Sequence, residues 1–225
     1  MKFYLDTMSF IEIEEIASLG MLDGIAINAS LVSEQGLNFY QRIRDACRYV
    51  DSPISVGVLS IEEEAIVREG KELANIHKNI VVKCPLTPAG LKATRRLTAE
   101  GIQVNVSLCF SLMQALIAAK AGAWCVSLCL DRTLEGQSQS LNVTRQDIIK
   151  QIVTVFRNYG FSTQVLLAGI RSPQEVRESV LAGGHICTMS FAIFQKLLNP
   201  AFHDSSPTST SQLNANSSLQ TPQAL

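Results

Sequence analysis

The stretch Ile80-Val81-Val82-Lys83-Cys84-Pro85-Leu86-Thr87-Pro88 decides how the rest of the chain is read. Ile80–Cys84 is a short, β-branched apolar run between Asn79 and Pro85, the composition of a buried strand. Thr87 followed by Pro88 is the pattern of an N-cap and a first helical residue, so a helix begins almost at once. Strand, brief turn and helix make one β/α unit. Inside its strand stands a lysine. Holding an unpaired ammonium in apolar surroundings costs on the order of several kcal/mol. Either Lys83 reaches water from the strand end, or the cost serves chemistry, and the strand alone leaves both open.

The same unit recurs in both directions. Upstream, Lys2–Asp6 reads as a strand, and Ser9 with Glu12 has the spacing of a capping box. Asp23–Ile27 is a second strand, followed by amphipathic Gly36–Val50, and Ile54–Leu59 a third, followed by a helix that Ser60 opens and that runs to Ala74. Downstream of the Pro88 helix, which Gly101 ends, come strand Gln103–Leu108, helix Ser111–Ala121 and strand Trp124–Leu128. A polar loop, Asp131–Ser140, leads to helix Val143–Tyr159 and strand Gln164–Ala168. Ser172-Pro173 begins another helix, stopped by Gly183-Gly184, before strand His185–Met189 and helix Phe191–Leu198. Eight strands each followed by a helix predict an α/β fold, a (β/α)8 TIM barrel over residues 1–200. A doubly wound open sheet is the alternative, but no glycine-rich phosphate fingerprint follows the first strand. Residues 201–225 are rich in Ser, Thr, Asn and Gln without periodicity and predict a disordered tail.

Composition agrees. Of 225 residues 47% are hydrophobic and 17% charged, the balance of a well-buried α/β core. A net charge of −1 gives no bulk attraction to nucleic acid or an anionic membrane, so an anionic ligand must be held by a few placed cations. No apolar run reaches membrane-spanning length and the N-terminus has no signal-peptide pattern. The six cysteines lie mostly in apolar runs without a CxxC pair, which reads as reduced thiols in a cytoplasmic protein rather than metal ligands.

In such a barrel the active site lies at the C-terminal strand ends. Those ends supply Asp6, Asn28, Gly57, Lys83, Asn105, Ser107, Ser127, Gly169 and Arg171, with Arg132 in the loop after the sixth strand. A lysine desolvated among apolar walls keeps a free amine that can attack a ketone and form a Schiff base. The iminium is an electron sink that lets a neighbouring carbon–carbon bond break, and Asp6 is the acid available on this rim to move the hydroxyl proton. Asn28 could orient the amine or a substrate hydroxyl, Asn105 and Ser107 could bind substrate hydroxyls or a water, and Arg132 and Arg171 lie where barrels often bind phosphate.

The chain resembles the transaldolase family, in particular the short bacterial transaldolases and fructose-6-phosphate aldolases. The resemblance covers roughly residues 1–200. It is carried by Tyr4-Leu5-Asp6-Thr7, by Ile80–Thr87 with Gly90-Leu91, by Phe110-Ser111 with Gln114-Ala115, by Ala121-Gly122-Ala123, by Leu167–Pro173 and by Leu181-Ala182-Gly183. It implies Lys83 as the Schiff-base lysine, Asp6 as acid/base, Asn28 and Ser107 in catalytic support, and Asn105, Ser127, Arg132 and Arg171 as substrate ligands. It implies movement of a dihydroxyacetone unit from a ketose phosphate to an aldehyde acceptor, or its release as free dihydroxyacetone, with no cofactor or metal, no nucleic-acid or membrane partner, and a homo-oligomeric ring of five or ten subunits. Against the family pattern, the second strand ends Ala26-Ile27-Asn28-Ala29-Ser30 instead of Thr-Thr-Asn-Pro-Ser. Gly57 stands where a Glu or Gln positions water, Ser127-Leu128-Cys129 replaces Ser-Pro-Phe, and Gly169 replaces a phosphate-binding Ser. Retention of Asp6 and Lys83 favours a working enzyme; these differences favour a sugar-phosphate-binding barrel with impaired catalysis and a non-enzymatic or regulatory role.

Overall fold

A computed structural model describes residues 1–27, 39–129 and 144–199. The β-branched runs form eight parallel strands: β1 (Lys2–Asp6), β2 (Gly24–Ile27), β3 (Ile54–Gly57), β4 (Ile80–Pro85), β5 (Val104–Cys109), β6 (Cys125–Leu128), β7 (Gln164–Ile170) and β8 (Ile186–Met189). Neighbours pair in sequence order, and β1 pairs with β8 through Lys2–Leu5 against Ile186–Met189, so the sheet closes into a barrel. Closure excludes the open-sheet alternative. Among the described residues a helix stands after each strand: α1 (Phe10–Ser18), α2 (Phe39–Tyr49), α3 (Glu63–Ala74), α4 (Pro88–Ala99), α5 (Leu112–Lys120), α6 (Arg145–Asn158), α7 (Pro173–Leu181) and α8 (Phe191–Leu198). The tail read from residue 201 onward, Asn28, Arg132 and the 131–140 loop lie outside the described residues.

The strands alternate faces, as period-two geometry requires. Outward residues such as Leu5, Val56, Val82, Val106 and Cys187 join the apolar faces of the helices in the main core. Inward residues Tyr4, Cys125, Leu166 and Ile186, with Trp124 and Ala168 against them, pack as a separate cluster that plugs the barrel. Above that plug the inward positions turn polar.

Helix starts follow the sequence where a hydroxyl meets a free amide. Thr87, Ser111 and Ser172 each accept from the backbone N–H three residues on, and Thr144 with Asp147 forms a full capping box. Two expected caps do not form. Ser9 makes no side-chain cap bond, and the reciprocal half of the box is diverted: the Glu12 carboxylate accepts from the Thr7 hydroxyl, whose oxygen in turn accepts from the Ser9 N–H. Helix α3 starts after Glu62 rather than at Ser60, because the Glu69 carboxylate accepts from the backbone N–H groups of Leu59 and Ser60 at 2.9 Å each. These bonds hold residues 59 and 60 as a loop over the barrel mouth. A glycine is required just after β4: a Cβ on Gly90 would collide with the Pro85 carbonyl, so the strand bearing Lys83 and the start of α4 meet backbone to backbone.

Candidate active site

The polar inward positions open into a cavity of about 530 Å³ at the C-terminal end of the barrel, a volume suited to a small metabolite. Asp6, Ser55, Lys83, Asn105, Ser107, Ser127, Cys129 and Thr188 supply its polar lining, and Leu59, Ile61 and Leu108 its apolar rim. Strand register places the centre. Gly57 of β3, Lys83 of β4 and Asn105 of β5 lie side by side at one level.

Lys83 stands on the barrel wall with protein around most of its chain. Burial lowers its pKa from the ordinary lysine value, while the Asp6 carboxylate and the Cys129 sulfur pull it back up. Asp6 opens onto the cavity and so keeps solvent-facing surface, yet protein crowds its carboxyl. Burial therefore raises its pKa, and the Lys83 ammonium partly offsets the rise. The two groups share one cavity and sense each other's charge. An amine pushed toward its neutral form beside a carboxyl pushed toward its protonated form suits nucleophilic attack followed by proton transfer.

Beside Lys83, through Asn105, a hydrogen-bonded chain crosses three strands. Ser127 Oγ donates to Asn105 Oδ1 at 2.9 Å, and Asn105 Nδ2 donates to Ser55 Oγ at 3.0 Å. All three residues are almost fully buried. This chain fixes which way the Asn105 amide points. Ser107 Oγ donates to the Cys84 carbonyl at 3.2 Å, so its lone pairs remain to accept from a cavity ligand.

The rim is shaped by two irregularities. Pairing of β5 with β6 shifts register between Val106 and Cys109, around Leu108 at φ 64°, and β7 with β8 shifts between Leu167 and Ile170, around Gly169 at φ 71°. Such bulges re-aim side chains at a barrel mouth. Holding a leucine in the left-handed region costs about 1 kcal/mol or more, and here it turns Leu108 onto the cavity.

Of the residues marked in the sequence, the structure brings Asp6, Lys83, Asn105, Ser107 and Ser127 into one cavity. Arg171 lies exposed one residue beyond β7 and outside that lining; its backbone N–H donates to Glu175 Oε2 at 3.1 Å. Asn28 and Arg132 are outside the described residues. Ser55, Cys129, Leu108 and Thr188 were not marked. Period-two counting back from Gly57 and forward from Ser127 would have found Ser55 and Cys129. Among the described residues no group of three or more His, Cys, Asp or Glu side chains is placed to hold a metal, and no helix is long and apolar enough to cross a membrane.

Comparison with known proteins bears on this geometry. A family model described as Transaldolase/Fructose-6-phosphate aldolase matches residues 3–222. A protein of Desulfatibacillum aliphaticivorans named "Probable transaldolase" is 44% identical over 204 residues, covering 91% of this chain and 93% of that one. One of Sorangium cellulosum with the same name is 45% identical over 197 residues, covering 88% and 89%. Among solved structures, a crystal structure of 3-hexulose-6-phosphate synthase superposes with a TM-score of 0.60 at 15% identity, covering 87% of this chain and 92% of that chain. At that identity the likeness speaks for the barrel alone.

Proposed function

The chain belongs to the transaldolase/fructose-6-phosphate aldolase family of enzymes, and from that premise we propose that it moves a dihydroxyacetone unit by Schiff-base chemistry at Lys83. The observation that carries the reading is the pairing of Lys83, its pKa lowered by burial, with Asp6, its pKa raised by burial, in one cavity. The donor is a ketose phosphate such as fructose 6-phosphate or sedoheptulose 7-phosphate.

Neutral Lys83 Nζ attacks the donor's C2 carbonyl, and the carbinolamine loses water to give an iminium. Asp6, as carboxylate, takes the C4 hydroxyl proton as the C3–C4 bond breaks, and the bond's electron pair passes into the iminium to leave an enamine on Lys83. The aldose phosphate departs. The enamine then adds to an aldehyde acceptor, with Asp6 returning the proton to the new hydroxyl, and water hydrolyses the resulting iminium to release the new ketose and the free amine. Alternatively the enamine is protonated and its iminium hydrolysed to free dihydroxyacetone. Asn105, held by Ser55 and Ser127, and Ser107, held by the Cys84 carbonyl, are oriented to bind hydroxyls of the bound sugar. Arg171 and Arg132 are the proposed phosphate ligands, and Asn28 the proposed support beside the amine.

Incubation with fructose 6-phosphate and borohydride tests this directly. A mass adduct on Lys83 is expected; no adduct would sink the enzyme reading. An assay with and without erythrose 4-phosphate then separates transfer from release. A second reading, a sugar-phosphate-binding barrel with impaired catalysis, is favoured by Gly57, which places no side chain beside the amine. It predicts binding of fructose 6-phosphate by calorimetry without turnover. A homo-oligomeric ring and a cytoplasmic location belong to the same proposal, and native mass spectrometry of the full chain tests the first of these.

A further inference from the structure

Arg145 is the first residue of α6, fixed there by the Thr144–Asp147 capping box. Its side chain is only 12% exposed, and its Nη1 bonds Glu175 Oε2 at 2.9 Å. The same Oε2 accepts the Arg171 backbone N–H at 3.1 Å. Glu175 is itself pinned in the first turn of α7, where its N–H donates to the Ser172 capping hydroxyl at 3.2 Å. One carboxylate oxygen thus joins the start of α6 to the turn between β7 and α7.

Stability does not explain this arrangement. Two charges have been taken largely out of water, and among the described residues Arg145 Nε and Nη2 are buried without a hydrogen-bond partner. A buried ion pair with unsatisfied donors rarely stabilises a fold over an apolar packing of the same volume. What the pair does supply is a fixed distance between two rim elements, ending at the backbone of Arg171. We infer that the Arg145–Glu175 ion pair is a positioning strut that sets the β7–α7 turn, and through it the reach of Arg171 toward the phosphate of the substrate. This rests on the proposed role of Arg171 as a phosphate ligand. Arg145 and Glu175 are positioning residues and touch neither the substrate nor Lys83.

The test compares a phosphorylated with an unphosphorylated ligand on the full chain. Arg145→Met should raise KM for fructose 6-phosphate roughly fivefold to tenfold with kcat within about twofold, the signature of lost uniform binding. The dependence of borohydride trapping at Lys83 on dihydroxyacetone concentration should not move, because that ligand carries no phosphate. Arg145→Lys should recover part of the KM. Should Arg145→Met fail to fold, Glu175→Gln decides: it keeps the volume and an acceptor for the Arg171 amide, and should shift KM in the same direction. Arg171→Met raising KM while Arg145→Met and Glu175→Gln leave it unchanged would overturn the strut alone. A parallel loss of kcat and of dihydroxyacetone trapping would overturn it too, as general damage. An unchanged KM in Arg171→Met would overturn the phosphate-ligand reading, and the strut with it.

Discussion

Gly57 lies in register with Lys83 on the adjoining strand, and a Cβ at its position would sit 3.2 Å from Lys83 Cε and 3.9 Å from Nζ. The amine's aliphatic stem therefore occupies space that any other residue would contest. Gly57→Ala should fold, since β3 holds an ordinary extended backbone there, but should displace the lysine by a few tenths of an ångström. Misplacement of a reacting group is costly, and kcat is expected to fall roughly threefold to tenfold, with the melting temperature little changed. Steady-state kinetics beside a thermal melt checks it, and an unaltered kcat would show that Lys83 has slack.

Replacing Lys83, the proposed nucleophile, should abolish trapping and also change how stability responds to pH. Burial holds the Lys83 pKa below its ordinary value. Below the folded pKa the native state must carry a poorly solvated ammonium, so the penalty is full; above the ordinary lysine value, about 10.4, neither state is charged and the penalty vanishes. Between those limits the unfolded chain binds more protons, and stability rises with pH. Lys83→Met should lack this alkaline rise while forming no borohydride adduct. Urea titrations of both proteins at a series of alkaline pH values make the comparison; parallel curves would contradict it.

Asp6 and Lys83 pull each other's pKa in opposite directions. Asp6→Asn removes the carboxylate that favours the ammonium, so the Lys83 pKa should drop further. The pH limb for imine formation with dihydroxyacetone is then expected at lower pH than in the wild type. Cleavage of fructose 6-phosphate should slow on the order of 10²–10⁴-fold, the usual worth of a positioned general base. Trapping rates against pH, with turnover measured beside them, report both effects. Near-normal turnover would remove Asp6 from the proton-transfer role.

The Ser55–Asn105–Ser127 chain should behave as a unit. Ser55→Ala or Ser127→Ala each leaves one side of a buried amide unsatisfied, at a cost of roughly 1–3 kcal/mol. The double variant should cost less than the sum of the two, because the second change no longer breaks an intact network. Chemical denaturation of all four proteins gives the cycle, and strict additivity would mean that Asn105 is held by something else.

Much of this was legible in the chain itself, for a physical reason. Buried strands of a parallel barrel need unbroken apolar runs, so a charged residue inside Ile80–Cys84, or at the end of Lys2–Asp6, stands out. Hydroxyl caps at Thr87, Ser111 and Ser172 act within three residues and were equally readable. Ser9 and Ser60 misled because a better partner, Thr7 for Glu12 and Glu69 for the loop amides, competed from outside the capping pattern. Ser55 shares a strand face with Gly57 and could have been counted from it, but its bond to Asn105, fifty residues away, leaves no local pattern. The turn of Leu108 onto the cavity depends on a register shift between strands, which a linear pattern does not encode.

The barrel's seam joins its earliest strand to its latest. Asp6 belongs to β1, which pairs with β2 through Tyr4–Asp6 against Gly24–Ala26 and closes the ring when Ile186–Met189 zip against Lys2–Leu5. Lys83 sits between β3 and β5, both close to it in the chain, whereas only one of the two neighbours of β1 is near it in sequence. During synthesis on the ribosome the strand of Lys83 can gain both of its neighbours long before the strand of Asp6 gains its second. A nascent or truncated chain that stops short of residue 186 would leave β1 paired on one side only, with Asp6 on an open edge, so turnover would report a finished ring.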